Sequence, residues 1–83
     1  MNTNDPMQRR TLKVGTKQTV KAVEQGKAVL VYVAQDADYR LISRIVQLCR
    51  QHGVHIEYVD TMHNLGKSCG IDVGTAMAAL VEI

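Results

Sequence analysis

Ala28-Val29-Leu30-Val31-Tyr32-Val33-Ala34 is the stretch that decides the fold. It is almost continuously apolar, rich in β-branched residues and bounded by polar turns. That is the pattern of a strand covered on both faces, as in sheets flanked by helices. Upstream, Val20, Ala22 and Val23 lie at helical spacing between Gly15 and Gly26, and Thr11 to Val14 reads as a short first strand. Downstream, Asp36 or Asp38 can cap a helix that ends at Gly53. Its apolar stripe is Leu41, Ile42, Ile45, Val46, Leu48 and Cys49, and Arg40, Arg44, Gln47 and Gln51 lie on the other side.

Beyond Gly53, Val54 to Val59 predicts a third strand. Asp60 or Thr61 then caps a short helix with Met62, Leu65 and Cys69 inward, ending at Gly70. Ile71 to Gly74 is a loop, and Ala76 to Ile83 is a last apolar strand. Strands alternating with helices place the chain in the α/β class, with a small, largely buried sheet. Met1 to Arg10 is polar, holds the only proline, and reads as a flexible tail or a short helix.

With 83 residues, the chain is expected to form one domain, because two cores of about 40 residues each would need staples. The 46% apolar share is ordinary for a globule, and 22% charged residues argue against disorder. There is no Trp or Phe, so large stacking platforms for single-stranded nucleic acid are mostly absent. No apolar run approaches the roughly 20 residues of a membrane span, and the first residues lack the apolar centre of an export signal. A cytoplasmic location is the resulting expectation, with Cys49 and Cys69 as free thiols.

Net charge is +2, too small to name a partner. Its distribution says more. Residues 1–27 hold six basic and two acidic side chains, and residues 28–83 hold four basic and six acidic ones. The basic balance therefore sits in the first third, the footprint that prompts a polyanion partner.

The segment Gly15-Thr16-Lys17-Gln18-Thr19-Val20-Lys21 sits where a strand turns into a helix. A helix N-terminus presents unpaired N–H groups and partial positive charge, which acidic residues normally complement. Here the first turn holds Lys17, with Lys21 a turn later. An external anion resolves that conflict, and Gly15 lets backbone approach a ligand. Thr16, Gln18 and Thr19 add hydrogen-bonding groups. A solvated lysine face is the plainer reading of the same residues. The segment has neither the spacing of a Walker loop nor that of a dinucleotide fingerprint. A second feature is Gly70-Ile71-Asp72-Val73-Gly74. Its apolar residues either contact a base or a protein, or tuck Ile71 under the short helix.

Enzyme and metal chemistry find little support. His52, His55, His63, Cys49 and Cys69 show no metal-ligand spacing, so no metal and no cofactor are expected. Asp36 and Asp38 are explained by helix capping. A nucleophilic Cys69 would need His63 as a base, and nothing in the spacing demands it. No catalytic residue is assigned.

Gly15 to Ala22, Val31 to Asp38, and Leu65-Gly66-Lys67-Ser68-Cys69-Gly70-Ile71-Asp72-Val73-Gly74 together closely resemble the kink-turn-binding ribosomal protein family, the L-seven-A-e family, and above all its small bacterial members. The resemblance runs from about Leu12 to Ile83. It implies a three-layer α-β-α sandwich with a four-stranded mixed sheet. It also implies binding of kink-turn RNA, a helix–internal loop–helix element with tandem sheared G·A pairs, in ribosomal RNA, a riboswitch or an mRNA leader. The family's first motif reads Gly-x-Asn-Glu-x-x-Lys. Gly15 and Lys21 match it, while Lys17 stands for Asn and Gln18 for Glu; both can still hydrogen-bond. Met62 stands where relatives are often basic. The RNA-contacting residues implied are Gly15, Thr16, Lys17, Gln18, Lys21, Asp38, Ile42, Ile71, Asp72 and Val73. The chain is expected to act as a monomer, with the ribosome as a further partner. The alternative is a ribosome-associated protein-interaction module that does not bind kink-turns.

Overall fold

The computed structural model describes residues 10–82. Seven elements alternate along the chain. They are β1 (Arg10–Val14), α1 (Thr16–Glu24), β2 (Ala28–Ala34), α2 (Tyr39–His52), β3 (His55–Val59), α3 (Met62–Ser68) and β4 (Met77–Glu82). The four strands form one mixed sheet in the order β1-β4-β2-β3. β2 runs parallel to β3, and β4 runs antiparallel to both β1 and β2. A parallel pair needs a crossover, and α2 supplies it between β2 and β3.

The alternation of β2 sorts its side chains between two cores. Val31 and Val33 are fully buried against Val23 of α1, Ile45 and Cys49 of α2, and Met77, Ala79 and Val81 of β4. Tyr32 and Ala34 face the other way, where Met62 and Leu65 of α3 and Cys69 just after it meet Val59. Two helices therefore cover one face and the short α3 covers the other, which is the α-β-α sandwich and mixed sheet expected from the sequence.

Element ends differ from the sequence reading in ways that hydrogen bonds explain. Arg10 already pairs with Glu82, so the first strand starts at Arg10 and not in a tail. Residues 1–9, the rest of that tail or short helix, and Ile83 lie outside the described residues. Val54 is not yet strand, because its N–H closes the end of α2 on the Cys49 carbonyl at 2.9 Å. Ala76 precedes β4, with its carbonyl accepting from the Ala34 N–H at 2.9 Å. Of the two capping choices for α2, Asp38 is the cap: its carboxylate accepts from the Arg40 N–H at 2.8 Å. Asp36 serves a different helix, accepting at 2.7 Å from the Met62 N–H at the start of α3. Thr61 caps α3 through the Asn64 N–H at 3.0 Å. Asp60 supports that cap by accepting from the Thr61 N–H and from the Asn64 side chain. The Asn64 bond and then the Thr61 bond hold the Asp60 carboxyl below its ordinary range.

Candidate nucleic-acid interface

Topology gathers the three candidate segments at one end of the sheet. β1, β2 and β3 all point the same way, and β4 points back. The turns that leave β1, β2 and β3 and the loop that enters β4 therefore share one edge. These are Gly15 before α1, residues 35–38 before α2, the cap of α3, and residues 69–76. The Met77 carbonyl ties two of them together. It accepts from the Gly15 N–H at 3.0 Å and from the Thr75 hydroxyl at 2.9 Å. The Met62 N–H reaches Asp36 in the turn before α2, and the Met62 carbonyl accepts from the Thr75 N–H at 3.1 Å.

At the head of α1, Gly15 has φ 107° and ψ 161°, backbone that essentially only glycine adopts. A Cβ there would meet no atom within 4 Å, so the space over the turn is open and conformation alone demands glycine. No side chain caps α1, and its first turn holds no acid. The Thr19 N–H closes on the Gly15 carbonyl at 2.9 Å, so the N–H groups of Thr16, Lys17 and Gln18 have no intrahelical acceptor. Lys17, Gln18 and Lys21 are exposed, and Thr16 is half-buried. Lys17 and Lys21 border one groove with Arg44 of α2. Lys21 and Gln18 border another, on the neighbouring flank of α1. This end of α1 presents directed N–H donors and positive side chains, with Glu24 the acid beside them in the groove, the kind of feature to which anions are attracted.

Thr19 does not belong to that surface. It is fully buried, and among the described residues its hydroxyl finds no hydrogen-bond partner. It shares the buried stripe of α1 with Ala22 and Val23, and the i, i+3, i+4 spacing is the signal that marks it.

The loop before β4 is held by its backbone. Gly66 and Gly74 make this possible, because a Cβ on either would crowd main-chain atoms of Val73 or Met62. The Ile71 N–H donates to the Gly66 carbonyl at 3.0 Å. Ile71 is half-buried, while Asp72 is exposed and Val73 is 69% exposed. Ile71 is thus partly withdrawn from solvent, while Val73 projects from the loop. Asp38 is exposed but occupied, as the cap of α2 and as partner of Arg40 at 3.6 Å. Ile42, one turn into α2, packs against both cores and shows only part of its side chain.

Burial pushes both thiols up from their usual pKa, and Cys49 is fully enclosed, which disfavours the thiolate. Among the described residues no cluster of three metal-ligating side chains forms, and no helix is long and apolar enough to cross a membrane.

Comparison with known proteins places the chain in a family. A family model described as the ribosomal protein L7Ae/L30e/S12e/Gadd45 family matches residues 2–83. An RNA-binding protein of Caldanaerobacter subterraneus subsp. tengcongensis is 50% identical over 66 residues, 80% of each chain. The large ribosomal subunit protein eL8 of Haloquadratum walsbyi is 36% identical over 73 residues, 87% of this chain and 61% of that protein. The structure of a Giardia lamblia 15.5kD RNA binding protein superposes with a TM-score of 0.80 at 30% identity, covering 87% of this chain and 61% of the other. The three-helix, four-stranded sandwich and the length of the family match agree, and the chain belongs to the ribosomal protein L7Ae/L30e/S12e/Gadd45 family.

Proposed function

We propose that this chain is a non-enzymatic RNA-binding protein that recognises kink-turn RNA with tandem sheared G·A pairs and stabilises the kinked form. The observation that carries the reading is the double use of the Met77 carbonyl. It links the anion-attracting head of α1 at Gly15 to the loop that projects Val73. One surface thus offers N–H donors, lysines and an apolar cover side by side.

Each part suits a different portion of such an RNA. Lys17, Lys21 and the free N–H groups of Thr16 and Lys17 take phosphates and carry a salt-dependent share of the affinity. Lys17 and Gln18 reach exposed guanine edges, where an amine to O6 and N7 is a common pairing. Non-Watson–Crick pairs open edges that regular A-form RNA hides in its deep groove. Val73, with part of Ile71, covers an unstacked nucleotide. Asp72, Asp38 and Ile42 border the contact, with Asp38 and Ile42 also serving the fold. A protein that binds only the kinked form shifts the RNA toward it without any catalytic step. Ribosomal RNA or an mRNA leader in the cytoplasm would supply the target, and one copy of the chain provides the whole surface. The relatives named as RNA-binding proteins support the RNA part of the reading.

The test is a gel shift with a kink-turn RNA and with the same RNA whose G·A pairs are made Watson–Crick. Binding to the first alone is expected; equal binding to both rejects the reading. The exposure of Val73 also suits a protein partner. Binding to ribosomal protein without RNA would favour that second reading.

A further inference from the structure

Of the basic side chains concentrated in the first 27 residues, the proposed contact uses only Lys17 and Lys21. Two others meet in one place. Lys13 of β1 and Lys27 of the turn before β2 line the same open groove as Lys21, along the outer side of α1. Gln18 and Gln25 stand on the α1 side of that groove, and among the described residues Glu82 is the one acid lining it. Lys13, Lys21 and Lys27 are all exposed, and among the described residues none of them forms an ion pair.

The fold explains why these lysines converge. β1 is an edge strand, and Leu12 faces the α3 side, so Lys13 faces the α1 side. An edge lysine alone is a common guard against strand pairing. That role does not place Lys21 and Lys27 in line with it. The groove begins beside Gln18 in the first turn of α1 and ends at Lys27, past its last turn. A helix of nine residues spans about 13 Å. Over that length a nucleic-acid strand presents several phosphates.

We propose that the Lys13–Lys21–Lys27 groove is a phosphate track that grips the backbone of one stem flanking the kink. It extends the footprint from the head of α1 to the far side of the molecule, and it rests on the kink-turn reading above. Lysines act there as point charges, so the track adds affinity and orientation and no base preference.

The experiment measures the affinity of kink-turn RNA over a series of salt concentrations. It uses the wild-type chain, a Lys13→Gln/Lys27→Gln variant, and Arg50→Gln as an exposed basic control outside the groove. The double variant is expected to lower the steepness of log K against log salt by about one to two units. It should bind several-fold more weakly at low salt and still reject the Watson–Crick control RNA. Arg50→Gln should keep the wild-type slope. Cutting back one of the two stems, and not the other, should erase the difference between wild type and double variant. A wild-type slope in the double variant, or a loss that depends on neither stem, overturns the track and leaves the kink-turn reading standing. A wild-type chain that fails to distinguish the two RNAs overturns both.

Discussion

Gly66 in α3 lies directly against the Val73 carbonyl, so close that a Cβ at position 66 would overlap it. This contact lets the loop before β4 rest on α3 through its backbone. Val73 is thereby held in place while its side chain stays 69% exposed. In an isolated helix, alanine is favoured over glycine by about 1 kcal/mol. Here the sign reverses. Gly66→Ala should destabilise the protein by about 1–3 kcal/mol, the usual cost of overpacking, and should also weaken RNA binding by shifting the loop. Thermal denaturation beside a gel shift checks both; a raised Tm would contradict the packing argument.

Val73→Ser separates binding from folding. An exposed side chain away from the core contributes little to stability, so the change should stay within about 0.5 kcal/mol. If Val73 covers an unstacked nucleotide, losing that apolar contact costs up to about 1.5 kcal/mol, or roughly tenfold in affinity. Urea denaturation and a binding titration give the two numbers. Unchanged affinity would remove Val73 from the contact.

Lys21→Ala and Gln18→Ala should each weaken binding while the far-ultraviolet circular dichroism stays that of the wild type, because both side chains are exposed. The two differ in salt behaviour. Lys21→Ala removes a charge and should flatten the salt dependence by about one unit, while Gln18→Ala should leave the slope alone. The same slope change in both variants would mean that Gln18 does not act through base edges.

Thr19→Val tests the buried hydroxyl. Among the described residues the Thr19 hydroxyl finds no partner, and an unsatisfied buried polar group costs about 1–3 kcal/mol. Valine keeps the shape, and its helix propensity is close to that of threonine. The variant should be as stable as wild type or more so, by up to about 2 kcal/mol, with RNA affinity unchanged. A marked loss of affinity in a chemical-denaturation-validated variant would return Thr19 to the binding surface.

Much of this molecule is legible along the chain. The run from Ala28 to Ala34 and the helix stripe of Ile45 and Cys49 are local patterns, and each falls where the sequence places it, while for each of the two caps the sequence leaves two candidates, from which the structure takes Asp38 and Thr61. Charge placement at Gly15 to Lys21 is local as well, because a helix start and a lysine four residues from another are properties of one segment. Thr19 shows the limit of such reading. Its polarity suggests a surface role, yet its place on the inner stripe decides its burial.

The sequence by itself determined the α/β class, the order of elements and the placing of lysines at the start of α1, because periodicity, capping and local charge depend on neighbours only a few positions apart. Tertiary structure alone decided that these residues share one end. β4 runs antiparallel between β1 and β2, which brings Met77 beside Gly15 and places the Ile71–Val73 loop next to the head of α1. It also put Lys13 and Lys27 in one groove and Gly66 under Val73. Those relations join residues many positions apart, and their physical cause is strand pairing and close packing, which no local pattern encodes.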